Sequence, residues 1–273
     1  MKRVLIFTDL DGTLLDSSYS FHEALPALDL TRERGIPLII CSSKTRTEIE
    51  HYRERLDNKH PFISENGGGI FLPEGYFDLE PEIVERYVVT TEEGYDMLRL
   101  GARYGDLRRA LGKLRDKGFS VRGFGDMTVE EVAALTGLSP DEAGMAKKRD
   151  FDEPFVIDDN EGMTDELFSE IREMGFHFTR GAFHHILGNS DKGRAVEIVI
   201  KLYQNALGDV KSIALGDSPN DFPMLAKVDV PVLVQRTDGR HIQGHNIPNV
   251  ILQEGIGPVG WGRAVLRILS GVT

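Results

Sequence analysis

RVLIFTDLDGTLLD, residues 3–16, sets an apolar run directly against two aspartates one residue apart, followed by Gly-Thr. Val4, Leu5, Ile6 and Phe7 are continuous, where a half-exposed strand would alternate apolar with polar, so the run predicts a parallel-sheet strand covered on both faces. Two carboxylates that repel each other at the end of such a strand call for a cation beside them. Outward from this stretch, short apolar runs alternate with helical patterns. IPLIIC (36–41), PFIS (61–64), KSIALG (211–216), VPVLV (230–234) and NVIL (249–252) read as strands, and helices are expected near 24–33 and 45–56. This alternation predicts an α/β fold with a Rossmann-like parallel-sheet core.

The middle of the chain reads differently. A helix is expected at 95–117, a strand near 119–122, and a helix from Thr128, whose spacing to Glu131 fits a capping box. FVID (155–158) reads as a strand, 164–174 as a helix, and 176–187 as a strand or hairpin. TVEEVAALTGLSPDEA (128–143) reads as an amphipathic surface helix and a turn. The expected division is therefore a core at 1–82, an inserted α+β cap domain at 83–187, and the rest of the core at 188–273.

The 273 residues are 40% hydrophobic and 28% charged, an ordinary globular composition. A net charge of −12 argues against nucleic acid or an anionic membrane surface as a partner, since both need cationic density. Cys41 is the single cysteine, so no internal disulfide forms and a reducing compartment is expected. No apolar stretch has the length of a membrane span, and Met1-Lys2-Arg3-Val4 enters a strand without a signal peptide's pattern. A cytoplasmic protein is the expectation.

Polar groups cluster where buried strands end or helices begin. Asp9 and Asp11 follow the first strand, and Ser42 with Ser43 follows the second. Lys192 opens a helix, and Asp217, Asn220 and Asp221 follow the strand ending at Gly216. Ligands of open parallel sheets bind outside the carboxyl ends of the strands, so these distant segments should converge. An Asp-Gly pair after a strand is also an ordinary turn signal. The joint occurrence, in order, carries the functional reading. Its chemistry is phosphoryl transfer to a carboxylate, which splits one difficult displacement into two. Mg²⁺ is the expected cofactor, held by Asp9, the backbone carbonyl of Asp11 and Asp217. The Asp11 side chain is then free for acid–base work, and Lys192 with a serine hydroxyl would hold the phosphate oxygens.

DLDGT (9–13), Ser42, Lys192 within NSDKG (189–193) and GDSPND (216–221) resemble the four motifs of the haloacid-dehalogenase-like superfamily, in its α/β-capped branch. The resemblance implies Asp9 as nucleophile, Asp11 as general acid/base and Asp217 as a metal ligand. Asn220 and Asp221 would support the lysine and the metal. Ser42 fits the second motif because it directly follows the strand, and Ser43 is the alternative. CSSKTR (41–46), SENGG (64–68), RDFDEPF (149–155), GNSDKG (188–193), GDSPNDFPML (216–225) and GPVGW (257–261) are similar to the mannosyl-3-phosphoglycerate phosphatase family. That narrower resemblance implies hydrolysis of a glycosyl-3-phosphoglycerate to a glycosylglycerate, a compatible solute. Ala182 stands where that pattern has an arginine, with Arg180 two residues earlier on the same face of an extended strand, so glucosyl is kept beside mannosyl as the sugar.

A carboxylate-bearing substrate needs a cation near the cleft, for which Lys44, Arg149 and Arg180 are candidates beside Ser43. Glu65 and Asn66, in a glycine-rich turn, are candidates for sugar hydroxyls. His184 and His185 point to opposite faces if extended, which suits packing better than joint metal ligation. Trp261 and Cys41 read as packing residues. The rival functions are a broad sugar-phosphate phosphatase or phosphomutase on the same core, and a catalytically silent phosphosugar sensor.

Overall fold

The computed structural model describes residues 3–157 and 164–271. Along the chain come β1 (Arg3–Thr8), α1 (Leu25–Glu33), β2 (Leu38–Cys41), α2 (Arg46–Arg55), β3 (Phe62–Ser64), β4 (Gly69–Pro73), α3 (Pro81–Arg86), β5 (Val88–Glu92) and β6 (Tyr95–Arg99). Next are α4 (Tyr104–Asp116), β7 (Val121–Gly123), α5 (Val129–Thr136), α6 (Pro140–Ala146), β8 (Asp152–Ile157), α7 (Thr164–Glu173), β9 (His177–Arg180) and β10 (His184–Leu187). Then follow α8 (Lys192–Leu207), β11 (Val210–Gly216), α9 (Phe222–Leu225), β12 (Val230–Gln235), β13 (Ile251–Ile256) and α10 (Pro258–Leu269).

Nine strands form one sheet in the order β13-β12-β11-β1-β2-β3-β4-β6-β5. The first six are parallel, and β4, β6 and β5 extend the sheet antiparallel. Both faces are covered, which is why the opening apolar run is continuous. Ile6 joins the apolar layer of α1, α2 and α10, while Leu5 and Phe7 join that of α8 and α9. Each such fully buried side chain contributes roughly 1.5–3 kcal/mol. Strand order reverses at β1, which lies between β2 and β11. The register Thr8↔Leu215 brings the two central strand ends level, and Asp9 N–H donates to the Leu215 carbonyl at 3.0 Å.

A second, antiparallel sheet runs β7-β8-β10-β9. One face packs on α4 and α7 through Leu107, Leu111, Leu167 and Ile171 against Phe155 and Ile186. The α/β core with an α+β cap is the expected class. Sheet membership differs from the expected boundary at residue 83, however, because β5 and β6 belong to the large sheet. The helix expected at 95–117 is β6 followed by α4. Tyr95, Met97 and Leu98 pack into the sheet layers, and apolar residues at these spacings suit either element. The 128–143 stretch is two helices with two capping boxes, Thr128 with Glu131 and Ser139 with Glu142. Asp158, expected in the strand at 155–158, lies outside the described residues. Among the described residues no helix is long and apolar enough to cross a membrane.

Candidate active site

The carboxyl ends of β1 and β11 and the first turn of α8 meet at the reversal of strand order, where a ligand site is expected. Lys192, the first residue of α8, is buried and donates from Nζ to Asp9 Oδ1 and Asp221 Oδ1, both at 2.7 Å. The other Asp221 oxygen accepts the N–H groups of Asp217 and Ser218, each at 3.0 Å. Thr13 donates its hydroxyl to Asp217 at 3.1 Å. Gly12 has φ +75°, and a Cβ there would stand 2.9 Å from an Asp217 oxygen, so glycine is required by conformation and by space. Burial drives Asp9 well above the usual carboxylate range against the pull of Lys192, and Asp221, Asp217 and Asp11 add to the rise. Burial and Asp221 push Asp217 up to about 7.

Asp11 differs from Asp9. Its side chain is 45% exposed and lies 3.1 Å from Lys44 Nζ, which also reaches Glu48 at 3.4 Å. Burial opposes charge on Lys44, but Asp11 and Glu48 outweigh it and hold the ammonium charged. Ser42 is fully buried, and its Oγ accepts the Lys44 N–H at 3.3 Å, while Ser43 stands in the cavity wall.

Core and cap enclose a cavity of about 450 Å³ above these groups. Asp9, Asp11 and Asp217 form its floor, and the cap supplies Phe124, Leu138, Phe183 and His185. Leu135 and Thr136 line it too, so the 128–143 stretch is part of the wall and more than a surface helix. Arg149 lines it with a side chain only 5% exposed, donating from Nε to the Ala146 carbonyl at 2.9 Å and from a terminal nitrogen to Ser43 at 2.7 Å.

Three expected substrate residues are placed differently. Glu65 is buried, and its oxygens accept the N–H groups of Asp150, Phe151 and Asp152. Burial pushes its carboxyl up to about 8, with Arg149 opposing. Asn66 donates to Asp152 Oδ2 at 2.7 Å and accepts from Asn220 Nδ2 at 3.0 Å. Glu65 and Asn66 thus tie residues 150–152 to the core, and both are buried outside the cavity lining. Arg180 is exposed and stands across β10 from His184, on the sheet face that packs under the helices. Ala182 lies in the turn between β9 and β10 and lines the cavity, whereas Arg180, at the end of β9, is not among the lining residues.

Asp9, Asp217 and Asp221 each offer a carboxylate oxygen, all within 4.8 Å of one another. Hard oxygen donors crowded without enough positive charge suit a divalent cation. Asp221 already serves Lys192 and two backbone N–H groups, which leaves Asp9 and Asp217 as the side chains with spare acceptor capacity. Asp152, His185 and Thr13 were absent from the sequence-based candidates. Thr13 was legible as the last letter of DLDGT, whereas Asp152 and His185 become neighbours only through the pairing of β8 with β10.

A family model described as haloacid dehalogenase-like hydrolase matches residues 6–89 and 140–241. The chain is 43% identical over 273 residues to a glucosyl-3-phosphoglycerate/mannosyl-3-phosphoglycerate phosphatase of Methanococcoides burtonii, covering 99% of this chain and 98% of that one. It is 36% identical over 250 residues to a mannosyl-3-phosphoglycerate phosphatase of Pyrococcus horikoshii, covering 90% and 96%. Among solved structures, the sucrose-phosphatase of Synechocystis superposes with a TM-score of 0.61 at 14% identity, covering 98% of each chain, a likeness of fold.

Proposed function

The chain belongs to the haloacid dehalogenase-like hydrolases, and on that premise we propose that it is a phosphatase of glycosyl-3-phosphoglycerate, releasing phosphate and a glycosylglycerate. The observation that carries the reading is the meeting of Asp9, Lys192, Asp217 and Asp221 at the base of a partly open cavity of about 450 Å³. The relatives' names supply both mannosyl and glucosyl esters as substrates, and both are kept.

Asp9 is the nucleophile: its carboxylate attacks phosphorus and the bond to the glyceryl oxygen breaks, leaving an aspartyl-phosphate. Asp11, half exposed and on the cavity side, gives its proton to that oxygen and then takes one from the attacking water. Lys192 fixes the Asp9 carboxylate and offsets charge that moves onto the phosphate oxygens. Ser42, or Ser43 beside it, holds a phosphate oxygen. Asp221 and Asn220 hold the lysine and the loop in place. Asp9 and Asp217, with the Asp11 carbonyl, would hold a divalent cation, proposed as Mg²⁺, whose charge would screen the substrate's phosphate from the carboxylates. The described residues of 102–157 and 164–187, among them the cavity-lining Phe124, Leu138, Phe183 and His185, are proposed as the cap, which excludes bulk water, and a cytoplasmic setting suits the single buried thiol of Cys41.

The test is phosphate release with Mg²⁺ from mannosyl- and glucosyl-3-phosphoglycerate beside a panel of simple sugar phosphates. Release concentrated on the glyceryl esters supports the proposal. Release spread evenly over the panel would keep the mechanism and remove the substrate, and binding without release would leave a sensor.

A further inference from the structure

Arg236 lies outside the four motifs, yet it lines the cavity beside the loop that carries Asp217. β12 pairs with β11, with Leu233 opposite Gly216, so the chain leaves the sheet at Arg236 just past the strand end that Asp217 follows. The backbone here is held on both sides. Gln235 accepts the Gly257 N–H on its carbonyl at 3.1 Å and the Gly255 N–H on its side chain at 2.7 Å. The Arg236 N–H donates to the Arg240 carbonyl at 3.0 Å, and its carbonyl accepts the Gly239 N–H at 2.8 Å. Asp238, in the same turn, accepts the Arg240 N–H at 3.0 Å. The guanidinium, by contrast, is exposed and makes no hydrogen bond or ion pair with another described residue. A fixed base thus carries a free head.

The other basic side chains of the lining are in a different condition. Lys44 is shared by Asp11 and Glu48, and Arg149 donates to the Ala146 and Ser43 carbonyls. His185 has Asp152 Oδ1 at 2.8 Å from Nδ1, which fixes the proton there and leaves Nε2 of the neutral ring an acceptor, suited to a hydroxyl. An exposed arginine is ordinarily a solvated charge. Arg236 differs in setting, because the same lining holds Asp11, Asp16, Glu48 and Asp217 and none of them pairs with it.

The substrate proposed above has two anionic groups, and its covalent structure keeps them close. Only the glyceryl carbons and the ester oxygen separate the carboxyl group from phosphorus, whereas the sugar extends away. With phosphorus at Asp9, the carboxylate therefore stays low in the cavity, near the core rim, among acids that repel it. It needs a cation there, and a guanidinium presents the planar pair of N–H donors that a carboxylate accepts.

We propose that Arg236 is a specificity-determining residue, its guanidinium receiving the carboxylate of the substrate's glyceryl part through paired N–H donors. The inference rests on the substrate read above. It assigns recognition of the leaving group's acid to the core turn after β12.

The experiment compares mannosyl-3-phosphoglycerate with the analogue in which the glyceryl carboxylate is reduced to the alcohol, using the full chain with saturating Mg²⁺. Wild type should favour the carboxylate-bearing ester by about tenfold or more in kcat/KM, the scale of one charge-assisted hydrogen bond. Arg236→Ala should bring that ratio near one, mainly through KM of the natural ester. Arg236→Lys, which keeps the charge and loses the planar fork, should recover only part of it. Arg236 also draws on Asp217, and a loss by that route falls on both esters alike and cancels in the ratio. An equal loss on both esters, a wild-type ratio near one, or a ratio that survives Arg236→Ala and collapses in Lys44→Met overturns the inference while leaving the phosphatase intact. Wild type releasing phosphate from neither ester would remove the substrate reading, and this inference with it.

Discussion

Asp9 and Asp217 on the cavity floor and Asp152 behind its wall live under opposite conditions. Asp9, Asp217 and Asp221 crowd within 4.8 Å, and among the described residues Lys192 is the ammonium in hydrogen-bond reach of them, bonding Asp9 and Asp221. Asp9 and Asp217 consequently sit above their ordinary range. Behind the wall, Asp152 has His185, Asn66 and Arg149 around it and sits below that range. Glu65 is held differently again, by three consecutive backbone N–H groups. Burial is common to all of them. Burial still pushes Glu65 up to about 8 despite those donors, so what separates Asp9 and Asp217 from Asp152 is the balance of neighbouring charge, and uncompensated negative charge facing the cavity marks the side that suits a ligand.

Four experiments press on this contrast. Asp9→Asn removes the proposed nucleophile from the floor, and phosphate release should fall by about a thousandfold or more. A wall residue matching that loss would erase the distinction. Lys192→Met leaves Asp9 and Asp221 uncompensated, so unfolding by denaturant should show a loss of about 3–5 kcal/mol, the cost of breaking one member of a buried ion pair. Should the variant be as stable as wild type, the lysine would not be what holds the floor together. Glu65→Gln, on the wall side, loses acceptor capacity for the Asp150–Asp152 amides. It should cost about 1–3 kcal/mol, with little effect on the rate beyond cap closure. Urea midpoints beside turnover numbers would separate the two.

The smallest expected effect concerns pH. Asp217 has an ordinary value of 3.8 and is raised to about 7 in the fold. A raised carboxyl favours the folded state when protonated, so its contribution to metal-free stability is complete below the ordinary value and is lost as pH climbs through about 7. A cation needs the ionised form, so the rise in Tm on adding Mg²⁺ should grow between about pH 4 and 7. A Tm shift by Mg²⁺ that is the same at both ends of that window would show that the floor's compensation is not incomplete after all.

The floor was legible because each of its residues follows a signal that local sequence carries. Asp9 comes after a run of buried strand, Asp217 after another, and Lys192 opens a helix behind the N-cap Asp191. The wall was not legible, since Asp152 and His185 are brought together by the register His185↔Pro154 and Leu187↔Asp152 between two strands. A pairing of that kind has no period along the chain. Glu65 and Asn66 were noticed for their glycine-rich setting, and their φ values of +47° and +55° do place them in a tight left-handed turn. Nothing local told that the turn would be filled by the cap's own backbone. The same limit explains β5 and β6, whose membership in the large sheet depends on partners and not on composition.

Trp261 is the only tryptophan among the 273 residues, and it is fully buried. Its indole Nε1–H donates to Thr8 Oγ1 at 2.9 Å, and that hydroxyl donates to the carbonyl of Asp9 at 2.7 Å. The protein therefore carries a native fluorophore wired by two hydrogen bonds to the backbone of Asp9, its proposed nucleophile. Its emission offers an unlabelled optical clock for events at Asp9, so that transient binding and turnover could be timed in a stopped-flow instrument by light from the opposite end of the chain.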